Sequence, residues 1–194
     1  MLTFFFAPGS SSMAVHIALH ETGAPFEARP MSFATHDMRR PEFLAINPNG
    51  KVPTLLVDGR VLTEVAGCLF YLARTYPKAN LLPADDPEAE AQVVSWMSFI
   101  ASGIHPARTA GMDRAREIWR IADKRLGAND WAAGGRYSIA DIHLFRLYWR
   151  IREALEPQAG GYANVEAHYQ RVMARPAVRK TIEIEEKIGY TLPR

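Results

Sequence analysis

The stretch NPNGKVPTLLVDGRVLTE, residues 47–64, carries the two signals that decide the fold. An Asp58-Gly59 pair separates two runs rich in β-forming residues, 52–57 and 61–63, and such a pair is a strong hairpin signal. Pro53 stands where the first run begins, a position that suits proline because it has no N–H to donate to a ladder. The stretch therefore predicts two antiparallel strands, the first of which starts at a proline.

Two interpretations of Val52-Pro53 stay open from these residues alone. In the first, the segment is an ordinary loop that starts an edge strand. In the second, the bond before Pro53 is cis and turns the backbone of Val52 outward. The N–H and C=O groups of Val52 then pair with an extended peptide in the manner of an added strand.

Around this hairpin, the first 80 residues alternate between strand and helix patterns. The apolar run LTFFFA, residues 2–7, reads as a buried strand that Pro8-Gly9 ends. The other predicted elements are a helix over 12–22, a strand over 26–32, a short helix over 38–46 and a helix over 64–76. The order β-α-β-α-β-β-α predicts a mixed four-stranded sheet with helices on its faces, its first two strands parallel and its last two antiparallel.

The composition changes after Pro77, and the chain shows no further strand pattern. Helical patterns follow over 88–103, 113–126, 138–154, 162–174 and 176–186. We therefore predict an α/β domain over 1–77, a linker over 78–87 and an all-α domain over 88–194.

Composition limits the classes of function. The formal net charge is +2 over 194 residues, too small to indicate nucleic-acid binding or an anionic membrane partner. The single cysteine, Cys68, excludes an internal disulfide framework and sits among apolar residues typical of a core. The apolar start is too short for a signal peptide or a membrane span. We expect a soluble, cytoplasmic protein.

Three hydroxyl residues, Ser10, Ser11 and Ser12, lie where the first strand turns into the first helix. Serine is favoured at helix starts, and a helix N-terminus also attracts anions, so both interpretations of this turn stay open. Two roles also stay open for Glu64: it either caps the next helix or binds the ammonium group of a ligand.

Two other polar patterns have simpler explanations. Ser138 and Asp141 have the spacing of a capping box, which we assign to folding. His16 and His20 are four residues apart on one predicted helix, but no third ligand accompanies them, so we expect no metal site.

Taken together, these motifs resemble the cytosolic glutathione transferases over nearly the whole chain, with the bacterial beta class as the nearest relatives. The resemblance implies a thioredoxin-like α/β N-terminal domain followed by an all-α C-terminal domain. The motifs that carry it are PGSSS (8–12), HIAL (16–19), NPNGKVPTLLVDG (47–59), LTE (62–64), YLA (71–73) and GGRYSIAD (134–141).

The resemblance implies that five residues bind glutathione. Val52 pairs its backbone with the cysteinyl part, and Pro53 is cis. Glu64 meets the γ-glutamyl ammonium, and the N–H of Val65 helps to hold the adjoining carboxylate. Lys51 reaches a terminal carboxylate. Position 65 is often serine in the family, so the valine here keeps a backbone contact and loses a hydroxyl contact.

The resemblance also implies a catalytic turn. Ser11 stands where the beta class has its cysteine, so the mixed disulfide with glutathione is unavailable at that position. Serine-type relatives place the catalytic hydroxyl slightly earlier, which makes Ser10 the alternative, and helix-start geometry favours Ser12 as the N-cap. His105 falls where beta-class enzymes carry an active-site histidine.

The implied activity is attack of the glutathione thiol on a hydrophobic electrophile, with glutathione as co-substrate and a homodimer as the assembly. A glutathione-dependent isomerase or reductase is an alternative, because the serine-rich turn is also similar to the zeta class. A non-catalytic protein that binds glutathione or other ligands is the second alternative, because a fold does not fix a function.

Overall fold

The computed structural model describes residues 1–133, 135–155 and 161–192. By its contacts the chain divides into two compact units. The first unit holds residues 1–79 together with the segment from Pro176 onward, and the second unit holds residues 80–175. The predicted α/β and all-α architecture is confirmed.

The first unit contains a four-stranded sheet in the order β2-β1-β3-β4. The strands are β1 (Leu2–Phe6), β2 (Phe26–Pro30), β3 (Thr54–Val57) and β4 (Arg60–Thr63). β1 runs parallel to β2 and antiparallel to β3, and β3 runs antiparallel to β4. Asp58 and Gly59 connect β3 to β4 with positive φ values of 48° and 81°, as a two-residue hairpin requires.

Three helices of the first unit pack together. They are α1 (Ser12–Thr22), α3 (Val65–Thr75) and α9 (Pro176–Ile188), and α1 contacts both of the others. Leu2, Phe4 and Phe6 of β1 are buried, whereas the alternate residues of that strand are half-buried. This alternation follows from the two-residue period of a strand.

Two expectations about the first unit need correction. The helix expected over 38–46 is shorter: α2 covers Pro41–Leu44 and follows a 3₁₀ turn over Asp37–Arg39. Arg40 separates them with an extended backbone (φ −70°, ψ 143°), because the residue before a proline avoids the helical region. In addition, α9 packs with the first unit, although its place in the sequence put it in the predicted domain 88–194.

The second unit is helical over its described residues. α4 (Pro87–Phe99) is capped by Asp86, whose carboxylate accepts hydrogen bonds from the N–H groups of Glu88 and Ala89. A π-helical turn over Ile100–Ile104 leads into α5 (His105–Ala107). The remaining helices are α6 (Met112–Leu126), α7 (Ile139–Leu155) and α8 (Ala163–Met173).

The helix α7 forms the centre of the second unit. It packs against α4, α6 and α8, and every residue from Ile139 to Tyr148 is buried. None of the helices among the described residues combines the length and apolar character that a membrane crossing requires.

Candidate functional site

The turn between β1 and α1 is held in one conformation by glycine and by backbone hydrogen bonds. Gly9 has a φ of 70°, and a Cβ atom there would lie 2.8 Å from Cδ1 of Leu192 and 2.9 Å from Cδ1 of Tyr190. The N–H of Ser10 donates to the carbonyl of Ala7 at 3.0 Å. The left-handed backbone at position 9 favours glycine, and any side chain there would have to displace the side chains of Tyr190 and Leu192.

Two of the three serines are used inside this turn. Ser10 and Ser12 are buried, and their hydroxyl oxygens lie 2.7 Å apart. The Ser12 hydroxyl donates to the carbonyl of Ala7 at 3.2 Å and accepts from the N–H of Ala7 at 3.1 Å. The N–H of Ser12 donates to the Ser10 hydroxyl at 3.2 Å. Both hydroxyls therefore contribute to the shape of the turn.

Ser11 differs from its two neighbours. It is half-buried and occupies the N-cap position of α1, where its side chain makes no capping hydrogen bond. Its hydroxyl lies 3.5 Å from the carbonyl of Val52, a long and weak contact. The expectation that Ser12 is the N-cap is wrong: Ser12 is the first residue of α1, and its hydroxyl is hydrogen-bonded to Ala7.

The segment before β3 is fixed by one buried amide. The Val52-Pro53 peptide bond is cis, as the resemblance implied. The side-chain nitrogen of Asn47 donates to the carbonyl of Lys51 and to the hydroxyl of Thr54, both at 2.9 Å. The Thr54 hydroxyl also donates to the carbonyl of Lys51 at 2.9 Å. Asn47 is thus a positioning residue that the sequence analysis missed, although its motif was recognised.

The start of α3 has an unusual backbone. Glu64 has φ 64° and ψ 135°, and its exposed side chain makes no capping hydrogen bond to α3. A positive φ at a non-glycine residue costs roughly 1–3 kcal/mol and is concentrated at functional sites. The capping interpretation of Glu64 is therefore wrong in this structure. Val65 is buried at the first position of the helix, where N–H groups lack partners within the helix.

A buried carboxylate in α9 also holds the serine turn, and the sequence analysis missed it. Glu185 is fully buried. It accepts a hydrogen bond from the N–H of Gly9 at 2.6 Å, and its other oxygen lies 2.8 Å from Nδ1 of His16. His16 is therefore engaged by a carboxylate. The residues described include no group of three or more His, Cys, Asp or Glu side chains that could hold a metal ion.

The first unit brings Ser11 and Val52 into contact and places Lys51, Pro53, Glu64 and Val65 in the same unit. His105 lies in the second unit, where it is exposed at the start of α5. Its charge influences His143 of α7, whose pKa is lowered to about 3, first by burial and then by His105 and Arg146.

The polar residues assigned to folding do bind each other. Asp141 accepts hydrogen bonds from the N–H and the hydroxyl of Ser138 at 2.7 and 3.0 Å. Its other oxygen accepts from the N–H of Ala132 and lies 2.8 Å from Nε2 of His168. This is the capping box that the spacing predicted, extended by a histidine. Gly134, in the same motif, lies outside the described residues.

Comparison with known protein families gives two matches in chain order. Residues 10–75 match the model described as "Glutathione S-transferase, N-terminal domain", and residues 91–176 match "Glutathione S-transferase, C-terminal domain".

Solved structures with the same fold include close relatives in sequence. A sphingomonad glutathione S-transferase complexed with glutathione is 32% identical, with a TM-score of 0.86 over 95% of this chain and 98% of that one. A beta-class glutathione S-transferase from Sphingomonas chungbukensis is 33% identical, with a TM-score of 0.84 over 94% and 98% of the two chains.

Relatives found by sequence include proteins named as transferases and proteins named as isomerases. Glutathione S-transferase GST-4.5 of Xanthomonas campestris is 29% identical over 92% of this chain and 96% of its own length. A maleylacetoacetate isomerase of Pseudomonas aeruginosa is 27% identical over 87% of this chain and 95% of its own length.

Proposed function

This chain belongs to the glutathione S-transferase family, and on that premise we propose that it binds glutathione in its first unit and activates the thiol through the Ser11 hydroxyl. The thiolate then attacks a carbon electrophile. The observation that carries the assignment to Ser11 is that the three serine hydroxyls have different partners. The Ser10 and Ser12 hydroxyls bind each other inside the turn, whereas that of Ser11 faces the carbonyl of Val52.

The binding residues that the resemblance implies are consistent with this geometry. Val52 precedes the cis proline, and the Asn47 amide fixes the backbone on either side of it. Glu64 is exposed at the start of α3 and is available to an ammonium group. Val65 contributes an N–H at the helix terminus to a carboxylate. Lys51 is exposed and offers a cation to the second carboxylate.

One hydroxyl and a helix N-terminus can together stabilise the thiolate enough to lower the thiol pKa by about two units. A thiol with a pKa of about 8.5 is only a few per cent thiolate at neutral pH. Lowering that pKa by about two units requires roughly 2.7 kcal/mol of differential stabilisation. A charge-assisted hydrogen bond supplies about 1.5–3 kcal/mol, and a helix N-terminus adds roughly 0.3–1 kcal/mol. The serine acts as a donor to sulfur and needs no base.

His105 is proposed as a further catalytic residue because the resemblance implies it, and Ser10 is kept as the alternative donor. A transferase is favoured over an isomerase because both family models and the two solved structures described above carry the transferase name. The relative named as an isomerase supports glutathione-dependent isomerisation as the second candidate.

We also propose a homodimer in the cytoplasm. Val61 of β4 and Phe70 of α3 are 47% and 40% exposed, and both belong to the first unit, where β4 packs against α3. Exposed apolar side chains on adjoining elements suit a subunit interface. The single thiol, Cys68, is compatible with a reducing compartment.

Glutathione binding and turnover are tested separately. Calorimetric titration is expected to show binding to the wild-type chain, a loss of about tenfold or more in Glu64→Gln and no change in the exposed control Glu42→Gln. Turnover is then measured with 1-chloro-2,4-dinitrobenzene and with a cis-enone that isomerises through a glutathione adduct. Binding with conjugation supports the transferase; binding with isomerisation alone supports the second candidate. Binding without turnover leaves a binding protein, and no binding refutes the proposal.

A further inference from the structure

Two cations lie beside Gly50 in the first unit, just before the cis-proline segment. Gly50 has a φ of 58°, and a Cβ atom there would lie 2.8 Å from Nη1 of Arg39 and 2.7 Å from the carbonyl oxygen of Met38. The guanidinium of Arg39 therefore lies close to the Gly50 backbone. Lys51 is the next residue along the chain, and it is exposed. The fold thus places an arginine and a lysine next to the segment that leads to Val52.

The backbone that carries Arg39 is fixed by its neighbours. Arg39 ends the 3₁₀ turn Asp37–Arg39, whose middle residue, Met38, is only 5% exposed. The carboxylate of Asp37 accepts a hydrogen bond from the N–H of Ser32 at 2.8 Å. Side chains that must bind a ligand are held more precisely when packing and hydrogen bonds fix the backbone beneath them. The turn therefore gives Arg39 a defined position beside Gly50.

Arg39 differs from the arginine that follows it. The guanidinium of Arg40 lies 2.8 Å from the carboxylate of Asp37, so its charge has a partner within the turn. Arg39 and Lys51 are exposed, and within the described part of the chain no carboxylate forms an ion pair with either. Exposed cations are common on protein surfaces, but these two are set apart by their place on either side of the Gly50 backbone. Neighbouring cations without a counter-charge attract an anionic ligand.

The order of the glutathione-binding residues indicates which part of the ligand these cations meet. In the proposed function, Glu64 binds the γ-glutamyl group and the backbone of Val52 binds the cysteinyl residue. The third residue of an extended tripeptide then continues past Val52, and its carboxylate is the one assigned to Lys51. Because the guanidinium of Arg39 lies against Gly50, the residue before Lys51, it is placed on the same side of the ligand as that carboxylate.

We propose that Arg39 determines specificity for the thiol co-substrate: its guanidinium, together with Lys51, binds the carboxylate of the residue that follows the cysteine. This inference rests on the proposed function, which supplies the positions of the γ-glutamyl and cysteinyl groups. A guanidinium matches a carboxylate with two parallel hydrogen bonds, whereas an ammonium group acts as a point charge. The site therefore selects glutathione over γ-glutamylcysteine, which lacks the glycine, and over glutathione whose glycine carboxylate is an amide.

Paired ligands test the inference through binding alone. Glutathione and its glycinamide, in which a neutral amide replaces the glycine carboxylate, are titrated calorimetrically into the wild-type chain. We expect glutathione to bind about tenfold or more tightly than the amide, the effect of one charge-assisted hydrogen bond. We expect γ-glutamylcysteine to bind no more tightly than the amide, because it does not reach Arg39.

Variants show whether Arg39 is responsible. Arg39→Gln is expected to lower the preference for the carboxylate by about fivefold or more, through weaker binding of glutathione and unchanged binding of the amide. Arg39→Lys keeps the charge without the fork and is expected to be intermediate. Arg40→Gln is the matched control, since it removes an exposed arginine of the same turn whose charge Asp37 already neutralises. Circular dichroism checks that each variant is folded.

The outcomes separate this inference from the proposed function. A preference in wild type that Arg39→Gln loses and Arg40→Gln keeps supports the inference, even if no acceptor turns over and only the transferase activity fails. Equal binding of glutathione and its amide by wild type overturns the inference and leaves glutathione binding intact. A preference that Arg39→Gln keeps, or that Arg40→Gln loses to the same extent, also overturns it. Absence of glutathione binding by wild type overturns both.

Discussion

The buried carboxylate of Glu185 gives the sharpest test of how the serine turn is held. One oxygen accepts the N–H of Gly9 at 2.6 Å, and the other lies 2.8 Å from Nδ1 of His16. Both side chains of the His16–Glu185 pair are almost completely buried, at 2% and 0% exposure. Replacing Glu185 by alanine removes both acceptors at once and leaves a cavity next to two buried donors.

The size of the effect follows from that burial. Removing one partner of a buried, hydrogen-bonded carboxylate–histidine pair typically costs about 3–5 kcal/mol, because the remaining groups keep their desolvation penalty. For a chain of this length each kcal/mol lowers the melting temperature by about 2–4 °C, so Glu185→Ala is expected to melt roughly 6–20 °C lower. Glu185→Gln keeps the volume and one acceptor, and is expected to cost about 1.5–3 kcal/mol.

Thermal and urea unfolding of Glu185→Ala, Glu185→Gln and the exposed neighbour Glu186→Gln measure this directly. Because the carboxylate also holds the Gly9 peptide, Glu185→Gln is expected to lower kcat for any acceptor more than it raises the KM for glutathione. The reasoning is refuted if Glu185→Ala is within 0.5 kcal/mol of Glu186→Gln, a difference that surface substitutions commonly show. It is also refuted if a destabilised Glu185→Gln retains full kcat.

Three further predictions concern other buried groups. Burial, and then the charge of Glu64, raises the pKa of the Cys68 thiol to about 12. The thiol is therefore expected to resist a thiol-specific reagent at pH 8 in the folded chain and to react fully in denaturant. Rapid labelling of the folded chain would contradict the place of Cys68 in the core. Asp141→Ala removes the carboxylate that Ser138, Ala132 and His168 contact. It is expected to lower the free energy of unfolding in urea by about 3–5 kcal/mol, and Asp141→Asn by an intermediate amount. A loss of less than about 1 kcal/mol would contradict the capping role. His143 has a folded pKa of about 3 against an ordinary 6.5, so its unfolded form takes up a proton that the folded form refuses, and its contribution to stability is full above pH 6.5 and is lost as the pH falls toward 3. His143→Leu is expected to flatten that part of the stability curve, and an unchanged slope contradicts the assigned burial.

Local patterns predicted the sheet because its decisive signals are local. Asp58-Gly59 specifies a tight turn between neighbouring strands, and the apolar run LTFFFA indicates a buried strand, whereas the side of β1 that is buried appears only in the structure. The capping box at Ser138 spans only four residues and was equally readable. These elements are set by a few adjacent residues, so no knowledge of the rest of the chain is needed.

The groups that hold the site could not be predicted in the same way. Glu185 lies 169 residues from His16 and 176 from Gly9, and nothing in its helical surroundings distinguishes it from the exposed Glu186. The α2 helix was overestimated because apolar spacing outweighed the effect of Pro41 on the residue before it.

The most direct test of the central claim is the pKa of the glutathione thiol when bound. Ultraviolet absorbance of the thiolate is titrated in wild type, Ser11→Ala, Ser10→Ala and Ser12→Ala, with glutathione at saturation. We predict a bound thiol pKa about two units below that of free glutathione in wild type. Ser11→Ala is expected to raise it by about 1–2 units, the equivalent of one charge-assisted hydrogen bond, with little change in glutathione affinity. A thiol pKa that Ser11→Ala leaves unchanged, or that rises only in Ser10→Ala, contradicts the account.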